Sequence, residues 1–215
     1  MLVYLDLLDG QSWNAVLDVR QGSCSAILSL ACEDDACGTV RPRYLGWLDP
    51  GTYHVLVDGR GTAASGMFTL RYQALRATDA CLADALPLTA DGRTTGATTG
   101  GVNHVASSCA TSLGSPDDMY YFAGCPGADF TASTCDAATD FDTALSLWRR
   151  GCNTMIACND DGPTICREGV GVDASTLSYT LPTEGQIYLL AVDGARLTMS
   201  SGSYGDFRTW VPPAR

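Results

Sequence analysis

The sequence predicts an all-β protein made of tandem antiparallel β-sandwich modules that are stapled by disulfides, with an incomplete first module. Three observations predict this fold class. Short apolar runs alternate with turn residues along the chain, ten cysteines are present, and one part of the sequence repeats another. Regularly spaced short strands are typical of sandwiches, and this many cysteines is typical of a disulfide framework.

The strands are predicted from their length, their alternation and the turn residues that bound them. Leu145 and Leu147 point to one face and Ala144 and Ser146 to the other, since side chains alternate along a strand. Gly, Pro, Asp and Asn bound these runs, as turns require. Examples of such runs are residues 144–148, 177–181 and 188–192.

The internal repeat becomes visible when Cys24 is aligned with Cys152. Four blocks then match in the same order and keep their chemical type. The matched blocks are residues 13–17 with 141–145, residues 32–35 with 158–161, residues 51–59 with 185–194, and residues 66–68 with 202–204. Four ordered matches indicate two copies of one module.

The repeat divides the chain into an incomplete module over residues 1–75, which keeps the C-terminal half of the pattern, and a complete module over residues 76–209. Residues 210–215 are predicted to form an extended tail, because their two prolines cannot continue a sheet. Residues 79–129 have no counterpart in the first module. We therefore expect that module to have open sheet edges, completed by upstream strands or by strands borrowed from another subunit or the second module.

The formal net charge of −11 at pH 7 argues against two classes of partner. Nucleic acid and anionic membrane surfaces are themselves negative and attract clusters of Lys and Arg. No stretch approaches the roughly 20 apolar residues that a membrane-spanning helix needs. The sequence therefore predicts neither a nucleic-acid partner nor a membrane span.

Ten cysteines with only two histidines indicate disulfides rather than zinc sites. Disulfides persist in oxidising compartments, so we expect the protein to be secreted and extracellular, or to lie on the outer cell surface. Residues 1–13 contain neither the basic segment nor the apolar run of a secretory signal. We therefore expect the natural chain to begin upstream.

Disulfide pairs are predicted from the repeat. Two pairs occupy equivalent positions in the two copies, each across a predicted hairpin, and a third ties the start of the second module to its next strand. The predicted pairs are Cys24–Cys32, Cys152–Cys158 and Cys81–Cys109. The partners of the other four cysteines stay open: Cys37, Cys125, Cys135 and Cys166.

The sequence contains no recognisable catalytic set. A hydrolytic triad needs a base, and the two histidines, His54 in a strand and His104 in a loop, are predicted to face solvent with no nucleophile beside them. Asp160 and Asp161 are adjacent in a turn and point in different directions, which does not fit glycoside hydrolysis. The sequence therefore predicts a protein that is not an enzyme.

Calcium is the candidate cofactor, and the sequence requires no other. Calcium takes about six to eight oxygen ligands, which acidic turns supply. The candidate acids lie at the two ends of one predicted hairpin, which could bring their oxygens together. The alternative is that Asp142 and Asp160 cap turn amides without any metal. The candidate ligands are Asp140, Asp142, Asn159, Asp160 and Asp161.

One set of residues in the second module matches a known family pattern. The set comprises Cys81, Cys109, residues 116–122, residues 141–145, Cys152, residues 158–161, Tyr188 and residues 192–194. With these residues the module resembles the bacterial pre-peptidase C-terminal (PPC-like) domain, as repeated in secreted and surface proteins of myxobacteria and their relatives. The first copy departs from the pattern where Asn14 replaces Asp142 and Glu33 replaces Asn159.

The resemblance implies a jelly-roll-like antiparallel β-sandwich that accompanies secreted peptidases or occurs in surface proteins, usually without catalysis of its own. We therefore predict a non-catalytic secreted or cell-surface module for binding, attachment or accessory roles. Its expected partner is a protein or glycan ligand on a surface, or a second copy that completes residues 1–75. Two alternatives stay open: the C-terminal accessory region of a secreted peptidase with its catalytic domain upstream, and a structural subunit of an extracellular polymer or appendage.

Overall fold

A computed structural model describes most of the chain and is nearly all β. The described residues are 1–8, 13–88, 92–110, 114–149, 151–162, 173–195, 197–198, 201–202 and 206–210. Within these ranges no helix is both long enough and apolar enough to cross a membrane. The predicted all-β fold class is confirmed.

The described residues form seventeen strands and one 3-10 helix, most of them short, as the spacing of turn residues predicts. The first six strands are β1 (Leu2–Leu7), β2 (Ala15–Gln21), β3 (Ala31–Glu33), β4 (Arg43–Trp47), β5 (Tyr53–Gly59) and β6 (Leu70–Leu75). After the 3-10 helix (Ala80–Leu82) come β7 (Leu86–Pro87), β8 (Arg93–Ala97), β9 (Asp118–Phe122), β10 (Asp129–Ser133), β11 (Thr143–Arg149) and β12 (Thr154–Asn159). The last five strands are β13 (Thr176–Thr180), β14 (Tyr188–Gly194), β15 (Leu197–Thr198), β16 (Ser201–Gly202) and β17 (Asp206–Trp210).

The chain divides into two compact units, Met1–Ala77 (unit 1) and Thr78–Arg215 (unit 2). In unit 1, two three-stranded antiparallel sheets have the strand orders β4-β1-β6 and β3-β2-β5. Val3 and Leu5 of β1 pack with Leu17 of β2 in one buried cluster. Because β1 and β2 belong to different sheets, this core lies between the sheets, as in a sandwich.

Unit 2 has a larger pair of sheets, with the orders β12-β11-β14-β9-β7 and β13-β10-β17-β8. Their buried side chains form one cluster that draws on both sheets. Phe122 of β9 stacks on Phe130 of β10 at 4.6 Å and on Tyr188 of β14 at 5.4 Å, measured between ring centroids. Trp210 still pairs with Arg93 and Ser133, so the strand extends one residue into the predicted tail; residues 211–215 lie outside the described residues.

The aligned residues of the two units occupy equivalent places in their sheets. In unit 1, Leu17 of β2 lies opposite Val57 of β5 and Glu33 of β3. In unit 2, the aligned Leu145 of β11 lies opposite Val192 of β14 and Asn159 of β12. The order β3-β2-β5 therefore corresponds to β12-β11-β14, and the hairpin at each sheet edge has the same register.

The units differ where residues 86–122 contribute strands to unit 2. There β9 pairs with β14 and β8 pairs with β17. In the described part of unit 1, β5 pairs with β2 only and β6 pairs with β1 only. Among the described residues, the sheet β4-β1-β6 thus ends one strand earlier than its counterpart, and the sheet β3-β2-β5 ends two strands earlier.

Two disulfides connect the start of unit 2 to the β11–β12 hairpin. Cys81 is bonded to Cys152 with Cα atoms 6.4 Å apart, and Cys109 is bonded to Cys158 with Cα atoms 5.9 Å apart. Three more cysteines are also disulfide-bonded: Cys37, Cys125 and Cys135. Cys166 lies outside the described residues. The disulfides are compatible with an extracellular protein.

The predicted disulfide pairs are wrong. Cys158 lies in β12 opposite Ser146, whereas Cys152 lies in the turn before that strand. An extended strand rises about 3.3 Å per residue, so its two ends are too far apart for a disulfide, which needs Cα atoms about 4.4–6.8 Å apart. The structure contains none of the three predicted pairs Cys152–Cys158, Cys81–Cys109 and Cys24–Cys32. Cys24 and Cys32 are free and exposed.

Candidate cation site

Three carboxylates converge at the open end of the β11–β12 hairpin. Asp142 directly precedes β11, while Asp160 and Asp161 directly follow β12. Because Leu145 and Asn159 lie opposite each other, the antiparallel pairing brings the start of β11 beside the end of β12. One carboxylate oxygen from each of the three aspartates lies within 4.8 Å of the others.

The other two predicted ligands contribute no carboxylate to this group. Asn159 donates a hydrogen bond from its side-chain Nδ2 to the backbone carbonyl of Thr176, at 2.6 Å. Asp140 is exposed and lies outside the carboxylate cluster. The carboxylate cluster consists of Asp142, Asp160 and Asp161.

The same place in unit 1 contains an arginine. The backbone N–H of Arg60 donates to the carbonyl of Asn14 at 3.0 Å, and the backbone N–H of Ala195 donates in the same way to the carbonyl of Asp142, also at 3.0 Å. Arg60 and Ala195 are therefore equivalent positions. The Arg60 guanidinium contacts the carboxylate of Asp34.

This guanidinium also approaches Asp35, with 3.9 Å between Nη1 and the carboxylate oxygen. Asp34 and Asp35 align with Asp160 and Asp161. Unit 1 thus places its own positive charge beside this pair of carboxylates. In unit 2 the position equivalent to Arg60 is occupied by the small, buried Ala195, which carries no charge.

A second polar group in unit 2 was missed by the sequence analysis. The Asp117 carboxylate accepts hydrogen bonds from the backbone N–H groups of His104, at 2.7 Å, and Val105, at 2.8 Å. The His104 ring Nδ1 lies 2.7 Å from the same carboxylate. The prediction that His104 faces solvent is wrong, since only 9% of its side chain is exposed. Asp117 is distant in sequence, so no local pattern marks this contact.

The loop that contains His104 covers the outer face of β11 and β14. Ser107 donates a hydrogen bond from Oγ to the Oγ of Ser146 at 2.9 Å, and Trp148 Nε1 donates to the same oxygen at 2.7 Å. Nearby, Ala110 packs with Ala144 of β11. Both faces of β11 are therefore buried, one by the core and one by this loop.

Asp193 of β14 is buried beneath the same loop. Its carboxylate accepts hydrogen bonds from the backbone N–H groups of Gly194, at 2.7 Å, and Ser107. Burial, and after it the negative charge of Asp117, raise the pKa of Asp193 to about 7. The available signal in the sequence was that an acid, Asp193, directly follows the apolar run 188–192.

The counterpart of Asp193 in unit 1 is Asp58, which accepts the equivalent hydrogen bond from Gly59 N–H, also at 2.7 Å. Asp58 is exposed, because the described part of unit 1 has no loop over this face. The two aspartates thus make the same local hydrogen bond, to the backbone N–H of the last residue of their strand. Only the covering loop makes Asp193 a proton-binding group near neutral pH.

The comparisons with known proteins assign no role to these residues. No protein-family model matches this chain, and no curated protein is similar to it. The resemblance to the pre-peptidase C-terminal domain therefore stays a prediction. The aspartate cluster is the arrangement with the clearest chemistry, since three hard oxygen donors in mutual reach suit a hard cation.

Proposed function

We propose that this protein is a non-catalytic, secreted or cell-surface binding or attachment module whose unit 2 binds a calcium ion. The observation that carries the proposal is the convergence of carboxylate oxygens from Asp142, Asp160 and Asp161 within 4.8 Å. The disulfides and the acidic surface fit a protein of a calcium-containing extracellular medium. The expected ligand is a protein or a glycan on a surface.

Calcium suits this cluster better than the other common cations. It accepts carboxylates and backbone carbonyls in flexible geometry, which a turn after a strand supplies. Magnesium demands near-ideal octahedral geometry and keeps its waters, while zinc prefers nitrogen and sulfur ligands. Unit 1 supports a cationic occupant, since Arg60 brings a positive charge to the equivalent carboxylates of Asp34 and Asp35.

The bound ion would tie together three chain segments. Asp142 lies at the start of β11, Asp160 and Asp161 lie at the end of β12, and Ser175, just before β13, donates its hydroxyl to the Asp160 carbonyl. An ion here fixes the end of the hairpin against the neighbouring sheet. We therefore expect the ion to stiffen this end of the sandwich and to have no catalytic role.

Calcium is expected to raise the melting temperature of chelator-treated protein. A ligand that binds only the folded state adds about 2.7 kcal/mol at a concentration of 100 times its Kd. Asp160→Asn and Asp161→Asn remove carboxylates from the cluster and should abolish most of the rise. Asp49→Asn, an exposed acid in unit 1, is the matched control and should keep it. The measurement is a calcium titration followed by calorimetry, with magnesium as the comparison ion.

Two outcomes would contradict the calcium site. One is an unchanged melting temperature at millimolar calcium, and the other is an equal rise in the wild type and both cluster variants. The non-catalytic part has its own test with peptide, ester and glycoside substrates. Hydrolysis that one side-chain substitution abolishes would show that the protein is an enzyme.

A further inference from the structure

Two exposed cysteines in unit 1 are free, although their counterparts in unit 2 are bonded. Cys24 and Cys32 are both exposed free thiols. Cys24 aligns with Cys152, which is bonded to Cys81, and Cys32 aligns with Cys158. In unit 2, both cysteines of this hairpin are therefore bonded to cysteines of a segment that precedes the hairpin in the chain.

The segment that supplies those bonds also supplies the neighbouring strands. It spans residues 81–122, and we call it the stapling segment. Its strand β9 pairs antiparallel with β14, so that Tyr188 lies opposite Phe122 and Val192 opposite Asp118. Its strand β8 pairs with β17. In unit 2, one segment thus provides two cysteines and the strands that pair with β14 and β17.

The matching edges of unit 1 are exposed. Val55 of β5 is 39% exposed, whereas Leu190, which has the equivalent register in β14, is fully buried. Tyr72 of β6, the other edge, is 74% exposed. An edge strand presents free N–H and C=O groups that a further strand can pair with.

The hairpin between the two free thiols adds an apolar surface. Ile27 is 98% exposed, Leu28 83% and Leu30 52%. Contiguous exposed apolar side chains mark interaction sites more often than single ones do. They lie between Cys24 and Cys32 in the chain, so a segment bonded to both thiols would pass directly beside them.

We propose that unit 1 binds an extended polypeptide segment with the chemistry of the stapling segment. The bound segment adds a strand antiparallel to β5, along Tyr53 to Val57, by β-augmentation. It carries two cysteines that form disulfides with Cys24 and Cys32, in the manner of Cys81 and Cys109. A second copy of this chain does not supply it, because there the stapling segment is already bonded within unit 2.

Each new disulfide forms by thiol–disulfide exchange. One thiol of unit 1 and one thiol of the segment lose two protons and two electrons in forming an S–S bond. A small disulfide oxidant such as oxidised glutathione accepts them and becomes two thiols. The two bonds consume four thiols and two molecules of oxidant. Exposure of Cys24 and Cys32 gives the attacking thiolate access.

The test uses the full chain and a synthetic peptide of residues 79–124, mixed in a buffer of reduced and oxidised glutathione. Non-reducing peptide mapping is expected to link Cys24 to the peptide's Cys81 and Cys32 to its Cys109. The two thiols should then be lost from alkylation by iodoacetamide, and the melting temperature of unit 1 should rise. A scrambled peptide with both cysteines at the same positions is the matched control and should react far less.

The double variant Cys24→Ser/Cys32→Ser should form no covalent adduct, while the peptide still binds it weakly and reversibly. The proposal is overturned if the scrambled peptide cross-links equally well, if the two pairings form at random, or if the purified protein contains a Cys24–Cys32 disulfide. These outcomes concern unit 1 only. They leave the calcium proposal for unit 2 unaffected.

Discussion

Replacing Cys81 and Cys152 together with serine is expected to lower the free energy of unfolding of unit 2 by about 4 kcal/mol. The bond joins residues separated by 71 positions, and in the chain-entropy model a closed loop of this size restricts the unfolded chain by that amount. Cys81 is also 3% exposed, so its replacement leaves a polar hydroxyl in a buried place. The unit should become marginal, because small domains are stabilised by only about 5–15 kcal/mol.

Denaturant unfolding followed by circular dichroism measures this loss. The control is Cys24→Ser/Cys32→Ser, which changes two exposed free thiols at the positions equivalent to Cys152 and Cys158 and should alter the free energy of unfolding by less than about 0.5 kcal/mol. Equal stability of the two double variants would show that the Cys81–Cys152 bond does not stabilise the fold. Because the bond restricts the unfolded chain, its loss should also increase the slope, which scales with the surface exposed on unfolding.

The second large effect concerns pH, through Asp193. In the folded state the pKa of this carboxyl is raised from 3.8 to about 7, so the folded protein binds a proton that the unfolded chain has already lost. The stabilisation is complete below about pH 4 and is lost as the pH rises to about 7. The pKa difference is equivalent to stability on the order of 4 kcal/mol. Asp193→Asn, which resembles the protonated acid, should lack this contribution and lose less stability over this range.

The measurement is the free energy of unfolding of the wild type and the variant at several pH values between 4 and 8. Burial also raises the pKa of Asp117 and Asp118, so part of the fall stays in the variant, and the difference between the two proteins reports Asp193. Asp58→Asn is the matched control. It removes the equivalent but exposed carboxylate of unit 1 and should leave the pH profile unchanged. Parallel profiles of wild type and Asp193→Asn would refute the assignment.

Much of the secondary structure could be predicted from local patterns. Alternation in residues 144–148 predicted a strand, and β11 spans Thr143–Arg149. The alignment of Cys24 with Cys152 also placed β2 and β11 correctly in corresponding registers, as the pairs Leu17–Val57 and Leu145–Val192 show. These features depend on the side-chain period of a strand and on turn residues, and both are determined by a few neighbouring residues.

The candidate site was predicted in part for the same reason. Asp142, Asp160 and Asp161 follow from one hairpin, whose two ends must meet once its strands pair. The hydrogen bond from Asn159 Nδ2 to Thr176 was not predicted, because Thr176 belongs to a strand of the other sheet. The equivalence of Ala195 and Arg60 was not predicted. It is shown by their matching backbone hydrogen bonds, to the carbonyls of Asp142 and Asn14.

By itself, the sequence determined the all-β class, the turn-bounded strands and the acidic end of one hairpin, because each depends on residues close in the chain. Only the tertiary structure decided the disulfide pairs Cys81–Cys152 and Cys109–Cys158, the contact of His104 with Asp117, and the burial of Asp193. The first pair depends on where the 3-10 helix with Cys81 lies, and the others depend on how the loop between β8 and β9 crosses the face of β11 and β14. That path is set by packing between residues far apart in sequence, which periodicity does not record.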